Sequence, residues 1–128
     1  MSDVKKIMEM IKEHDITYVD LRFTDIAGKM QHVTQHIDTI DEDALTEGFM
    51  FDGSSIAGWK AINESDMTLM PDLYRAYIDP FFAQPTLALF CDVLEPSSGE
   101  AYDRDPRGTA KAALAHIESL GIADTAFF

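Results

Sequence analysis

Apolar residues at the start of the chain fall at helical spacing, with Val4, Ile7, Met8 and Ile11 on one face and Ser2 ahead of them as an N-cap. The pattern predicts a short amphipathic helix over residues 3–13. The period then changes to two. Val19, Leu21 and Phe23 alternate with Asp20, Arg22 and Thr24, which predicts a half-buried strand. "DIAGK" supplies a glycine-containing turn and "MQHVTQHI" a returning strand, so this region reads as a hairpin. "TIDEDALTEGF" opens with acids suited to a helix N-terminus and reaches Gly48 as a C-cap, predicting one short helix. After a loop, "MTLMPD", "AYIDPF" and "TLALFCDVLEP" read as short strands, the last apolar enough to be covered on both faces. Four or five strands with a helix against one side make a small α+β roll.

"EPSSGEAYDRDPRG" is a polar, turn-rich break that predicts a boundary near residues 97–105. The next helix begins with Asp105 as cap and Pro106 at its first position. Ala110, Ala113, Leu114, Ile117 and Leu120 give it an apolar stripe, and Gly121 ends it. "IADTAFF" reads as an apolar, strand-like run with neither a partner strand nor a polar tail, which suggests a truncated chain.

Composition narrows the function classes. A chain of 128 residues suits one domain with a real core, burying roughly two-thirds of its unfolded surface. The net charge of -13 argues against nucleic acid, whose phosphates need clustered Lys and Arg, and favours cations or proteins that tolerate an acidic face. The longest uncharged run, Pro80 to Cys91, is 12 residues, short of the ~20 that span a bilayer. No membrane partner is expected. The N-terminus mixes charges into its apolar positions, unlike a secretory signal. Cys91, the sole cysteine, reads as a buried, inert thiol, which suits a soluble protein of the cytoplasm.

The stretch "FMFDGSSIAGW" carries the candidate chemistry. Taken alone, "DGSS" is a turn signal. The density of costly residues raises a second reading: between Asp52 and Asp72 the chain spends a Trp, an Asn, a Glu and three Asp with little periodicity, as binding loops do. Gly53 and Gly58 have phosphate-loop spacing, but Trp59 follows where Lys is required, so that motif fails. His32 and His36 share a strand face but stand over ~10 Å apart, too far for one metal ion. "YDRDPR" is read as an exposed ion-pair loop between domains in preference to a binding patch.

Six blocks, "YVDLRFTDIAGKMQHVT", "FDGSSIAGW", "INESDMTLMPD", "YIDPFF", "CDVLEP" and "YDRDPRG", occur in the order found in bacterial type I glutamine synthetases. The chain resembles that family over nearly all of residues 16–128. The resemblance implies an N-terminal β-grasp domain at about 14–98, preceded by the helix of 1–13, with 106–128 as the first helix and strand of an incomplete catalytic domain. It implies ATP-dependent ligation of ammonium to the γ-carboxylate of glutamate through γ-glutamyl phosphate, with ATP and Mg²⁺ or Mn²⁺ in the full-length parent and none bound by these residues. Partners would be neighbouring subunits of a homododecamer built from two stacked hexamers, whose sites lie between subunits.

By this resemblance Asp52 projects into the neighbour's site, where a carboxylate can attract, desolvate and deprotonate ammonium. Ser54 helps hold that geometry and so belongs to the ammonium-binding set. Trp59 matches a family tryptophan near the adjacent nucleotide, although an interface anchor accounts for it equally well. Asp66 lies on a loop resembling the family's segment by the site entrance and is the second catalytic candidate. The metal ligands belong to the missing part, so the 128 residues alone should form no glutamine. The alternative is a non-catalytic, synthetase-like module that binds or regulates through its β-grasp surface.

Overall fold

Val19, Leu21 and Phe23 set the centre of the molecule. They lie on β1 (Tyr18–Thr24), which pairs antiparallel with β2 (Met30–His36) on one side and parallel with β5 (Thr86–Leu94) on the other. The computed structural model describes residues 2–59 and 65–127. Its sheet has five strands in the order β2-β1-β5-β4-β3, where β4 is Asp66–Asp79 and β3 is Phe49–Asp52. Thr86 to Leu89 are all buried, so β5 is covered on both faces as its apolar run predicts.

Two helices cover one face. In α1 (Asp3–Glu13) Ser2 accepts the Lys5 N–H, and Ile7 and Ile11 enter the core. In α2 (Glu42–Glu47) Asp41 accepts the Ala44 N–H at 2.7 Å and Leu45 is buried. The predicted roll held one helix, with α1 merely preceding it. Both helices pack beside Val19, Leu21, Met67, Leu69 and Val93, because the two buried isoleucines on one face of α1 need cover. Gly48 ends α2 at φ +88 and passes so close to β4 that a Cβ would lie 2.7 Å from Thr68 Cγ2. Only glycine fits both demands.

Two strand predictions need correction. "FMFD" belongs to β3, an edge strand paired Phe49 to Leu69 and Asp52 to Asp66. The turn chemistry that follows at Gly53 masked its four residues. "MTLMPD" and "AYIDPF" are a single strand, β4, whose pairing with β5 shifts register between Pro71 and Ala76. Proline has no N–H for the ladder, so an irregularity beside Pro71 keeps one strand running through what reads as a break.

The C-terminal part differs more. Asp105 caps α3 (Pro106–Ser119) as expected, but α3 buries no residue, and Leu120 is exposed. Residues 122–127 form no strand. "YDRDPR" is not an exposed loop: Tyr102 and Asp105 are buried, and Asp105 is only 1% exposed. Its carboxylate accepts the Val93 N–H at 3.0 Å and the Arg107 N–H at 3.1 Å, tying the start of α3 to the end of β5. Arg107 adds ion pairs to Asp92 and Asp72. Cys91 is buried, and burial pushes its thiol up to about 12, so it stays protonated and inert. Among the described residues no helix is long and apolar enough to cross a membrane.

Candidate functional site

β3 delivers Asp52 to the exposed end of the sheet. There the backbone turns through a 3₁₀ turn, Gly53–Ser55, whose first N–H bonds the Ser65 carbonyl at 2.7 Å. Asp52 Oδ1 accepts from the Ser54 N–H at 2.9 Å and from Ser54 Oγ at 2.7 Å, and the Ser55 hydroxyl donates to the Asp52 carbonyl at 2.9 Å. The Ser54 hydroxyl above all, then the Ser54 N–H and the Ser65 hydroxyl, hold the Asp52 carboxyl below the usual carboxylate range. All of these donors are neutral. The side chain therefore keeps a full negative charge at neutral pH.

Asp66 opens β4 directly opposite Asp52 and is exposed. Side chains at directly opposed positions of an antiparallel pair lie on the same face, and like charges so placed repel. Neither acid forms an ion pair with another described residue. Two adjacent carboxylates with no cation paired to them among the described residues make an acidic lip on the sheet. Of "NESD", Asn63 and Glu64 lie outside the described residues.

Trp59 does not join this lip. It is 8% exposed, with its ring 5.6 Å from Phe23, 6.4 Å from Phe51 and 5.2 Å from Tyr102. The loop that starts at Asp52 thus runs into an aromatic cluster of the core, and Trp59 Nε1 is buried there with no hydrogen-bond acceptor among the described residues.

A second charged constellation escaped the sequence reading. On the sheet face away from the helices, Asp20, only 1% exposed, accepts from Arg22 Nε at 2.8 Å and Thr34 Oγ1 at 2.9 Å, with His32 Nδ1 at 2.7 Å. Arg22 also reaches Asp79 and the Tyr77 hydroxyl. Burial raises the Asp20 carboxyl, but the Arg22, His32 and Thr34 bonds outweigh it and leave it low. Opposite charges two apart in "VDLRF" were the available signal, since they share a strand face. Among the described residues no three or more His, Cys, Asp or Glu side chains form a group that could hold a metal ion.

Residues 15–96 match the family described as glutamine synthetase, beta-Grasp domain. The chain belongs to the glutamine synthetase β-grasp family. Among its relatives, the glutamine synthetase of Azospirillum brasilense is 63% identical over all 128 residues, which span 27% of that protein. A 3-hydroxylaminophenol mutase of Cupriavidus pinatubonensis (strain JMP 134 / LMG 1197) is 56% identical over 98% of this chain and 26% of its own length. The fold is similar to that of Plasmodium falciparum glutamine synthetase, with a TM-score of 0.85 at 26% identity, covering 97% of this chain and 24% of that one. The chain thus spans about a quarter of the length of the relatives it matches, and in this β-grasp domain Asp52 and Asp66 lie at the open end of the β3–β4 pair.

Proposed function

We propose that the chain is the N-terminal part of a glutamine synthetase that joins ammonium to the γ-carboxylate of glutamate through γ-glutamyl phosphate. In this reading residues 14–98 are the β-grasp domain and 106–128 begin the catalytic domain. Asp52 serves the ammonium site of a neighbouring subunit in a homododecamer of the cytoplasm. The observation that carries the reading is the state of Asp52 within this family's fold: exposed, ionised, held by hydroxyl and amide donors, and faced by a second carboxylate.

Such a group fits ammonium. The cation is drawn to the paired charges, and Asp52 accepts one of its protons as the nitrogen lone pair becomes available to attack the acyl phosphate carbon, from which phosphate departs. Ser54 is a positioning residue, since its hydroxyl and N–H both fix Asp52 Oδ1. Asp66 adds charge at the entrance. Trp59, packed in the core, anchors the far end of the loop. ATP and Mg²⁺ or Mn²⁺, which the family uses, would be held by residues of the catalytic domain.

The test is a chimera in which these 128 residues replace the matching segment of the Azospirillum brasilense enzyme, 63% identical. Glutamine formation by the chimera is expected, and Asp52→Ala in it should lower the rate about a hundredfold or more. Restoration by co-assembly with subunits disabled only in their catalytic part would support action in trans. An Asp52→Ala chimera at full rate would sink the assignment. The second reading, a binding or regulatory module, draws on the exposed aromatics Tyr74 in β4 and Phe81 and Phe82 just beyond it. It predicts an inactive chimera, with the free chain still binding the intact enzyme.

A further inference from the structure

The Asp52 loop is fastened at its far end by a segment outside the matched residues 15–96. After a turn over residues 95–100, residues 101–107 run back along β5. Ala101 bridges to Leu94, the Tyr102 N–H bonds the Val93 carbonyl at 2.9 Å, and the Asp105 N–H bonds the Tyr102 carbonyl at 3.1 Å. Asp105 and Arg107 then fix the first turn of α3 to β5 and β4, as described above. From this braced segment two side chains reach the loop. The Tyr102 ring lies edge-on to Trp59 at 5.2 Å, and Arg104 Nη1 donates to the carbonyl of Gly58. Gly58 sits at φ +83, a backbone turn that presents this carbonyl just before Trp59 enters the core.

We propose that Arg104 is a positioning residue that latches the loop carrying Asp52 to the base of α3. The inference rests on the assignment of Asp52 to ammonium capture. Among its described residues the loop has three attachments. At its start the Gly53 N–H bonds the Ser65 carbonyl, where a Cβ on Gly53 would stand 2.6 Å from Met67 Cγ. In its middle Ile56 is buried. Further along stands Trp59, whose indole N–H finds no acceptor among the described residues, so this third attachment relies on ring packing and on the neighbouring Gly58 carbonyl. Arg104 is the group that holds that carbonyl. Because the same segment caps α3 and bonds β5, Arg104 and Tyr102 join the loop to a base that α3 and the sheet share.

Trp59 is the chain's only tryptophan, so its fluorescence reports the latch without any reaction. In the full 128-residue chain, Arg104→Ala should shift Trp59 emission to the red and raise acrylamide quenching, with far-ultraviolet dichroism unchanged. Arg104→Lys, which keeps a cationic donor, should restore much of the native signal. In the chimera, Arg104→Ala should raise the ammonium KM roughly fivefold while kcat at saturating ammonium stays near the parent value, since one charge-assisted hydrogen bond is lost remote from the reacting atoms. Emission and quenching identical to the parent in Arg104→Ala would overturn the latch, and so would a changed emission with an unchanged ammonium KM. If Asp52→Ala leaves the ammonium KM unaltered, the ammonium reading fails by itself, and Trp59 emission alone then decides the latch.

Discussion

Asp20 and Asp52 lie on one sheet, each accepts several hydrogen bonds, and each titrates below the ordinary carboxylate range. Their surroundings differ in one respect. Asp20 is buried and answered by Arg22, with Asp79 completing the group, so its charge is compensated inside the molecule. Asp52 is exposed, its donors are neutral, and the residue opposite it is another acid. A carboxylate paired with Arg22 is a joint between strands, whereas Asp52, with no ion pair among the described residues, is the one proposed to receive a cation from outside. Low proton affinity is common to both and does not separate structure from function; the sign of the nearest charge does.

The largest effect that sharpens this contrast is expected from Arg22. Arg22→Met leaves Asp20 buried without its cation and should lower unfolding stability by about 3 kcal/mol, measured by urea denaturation. Asp52→Ala, which removes an exposed charge facing another acid, should leave the melting temperature unchanged. Equal losses in the two variants would break the comparison.

Acid unfolding gives a smaller effect of known sign. Asp20 and Asp79 are depressed in the folded state, so their contribution is fully present above the unfolded value of about 3.9 and is lost as pH falls through their folded values. Burial raises Asp105 despite the N–H groups of Val93, Arg107 and Gly108, so its ionisation opposes folding and its effect has the opposite sign. Stability of the parent should therefore fall below about pH 4, and Arg22→Met should flatten that limb. A variant limb as steep as the parent's would show that Asp20 owes nothing to Arg22. The smallest change expected is at Ser54. Ser54→Ala removes the main donor to Asp52 and should raise its carboxyl toward the ordinary value, read by carbon-detected NMR titration, with the melting temperature unaltered. An unmoved titration would mean that the backbone N–H suffices.

Much of the fold was legible because most elements have one dominant period. Ile7 and Ile11 define α1, Val19 to Phe23 define β1, and the run from Thr86 reads as doubly covered. What was illegible involved competition between signals. The turn chemistry of "DGSS" hid the strand that ends at Asp52, and with it the register that brings Asp66 opposite. Pro71 divided β4 on paper, while the sheet absorbed it in a shift of pairing. Asp20 and Asp105 read as solvent-side residues because, Arg22 apart, their partners are distant in sequence, and only the folded chain brings His32 and Thr34 to the one and the Val93 N–H to the other. The site was half legible: the acid and its small neighbours could be read, but the burial of Trp59 depends on Phe23, Phe51 and Tyr102 from three separate segments.

The parallel pairing of β1 with β5 also sets a timetable for the newborn chain. β1 emerges from the ribosome early, but its central partner is made only after α2, β3 and β4, several seconds later at roughly 5–20 residues per second. Until then the hairpin of β1 and β2 holds Val19, Leu21 and Phe23 open to water on one face, with a bare strand edge where β5 will dock. The nascent protein is therefore most in need of a chaperone before residue 94 has left the exit tunnel, and synonymous changes that slow translation between β2 and β5 should lengthen that exposure.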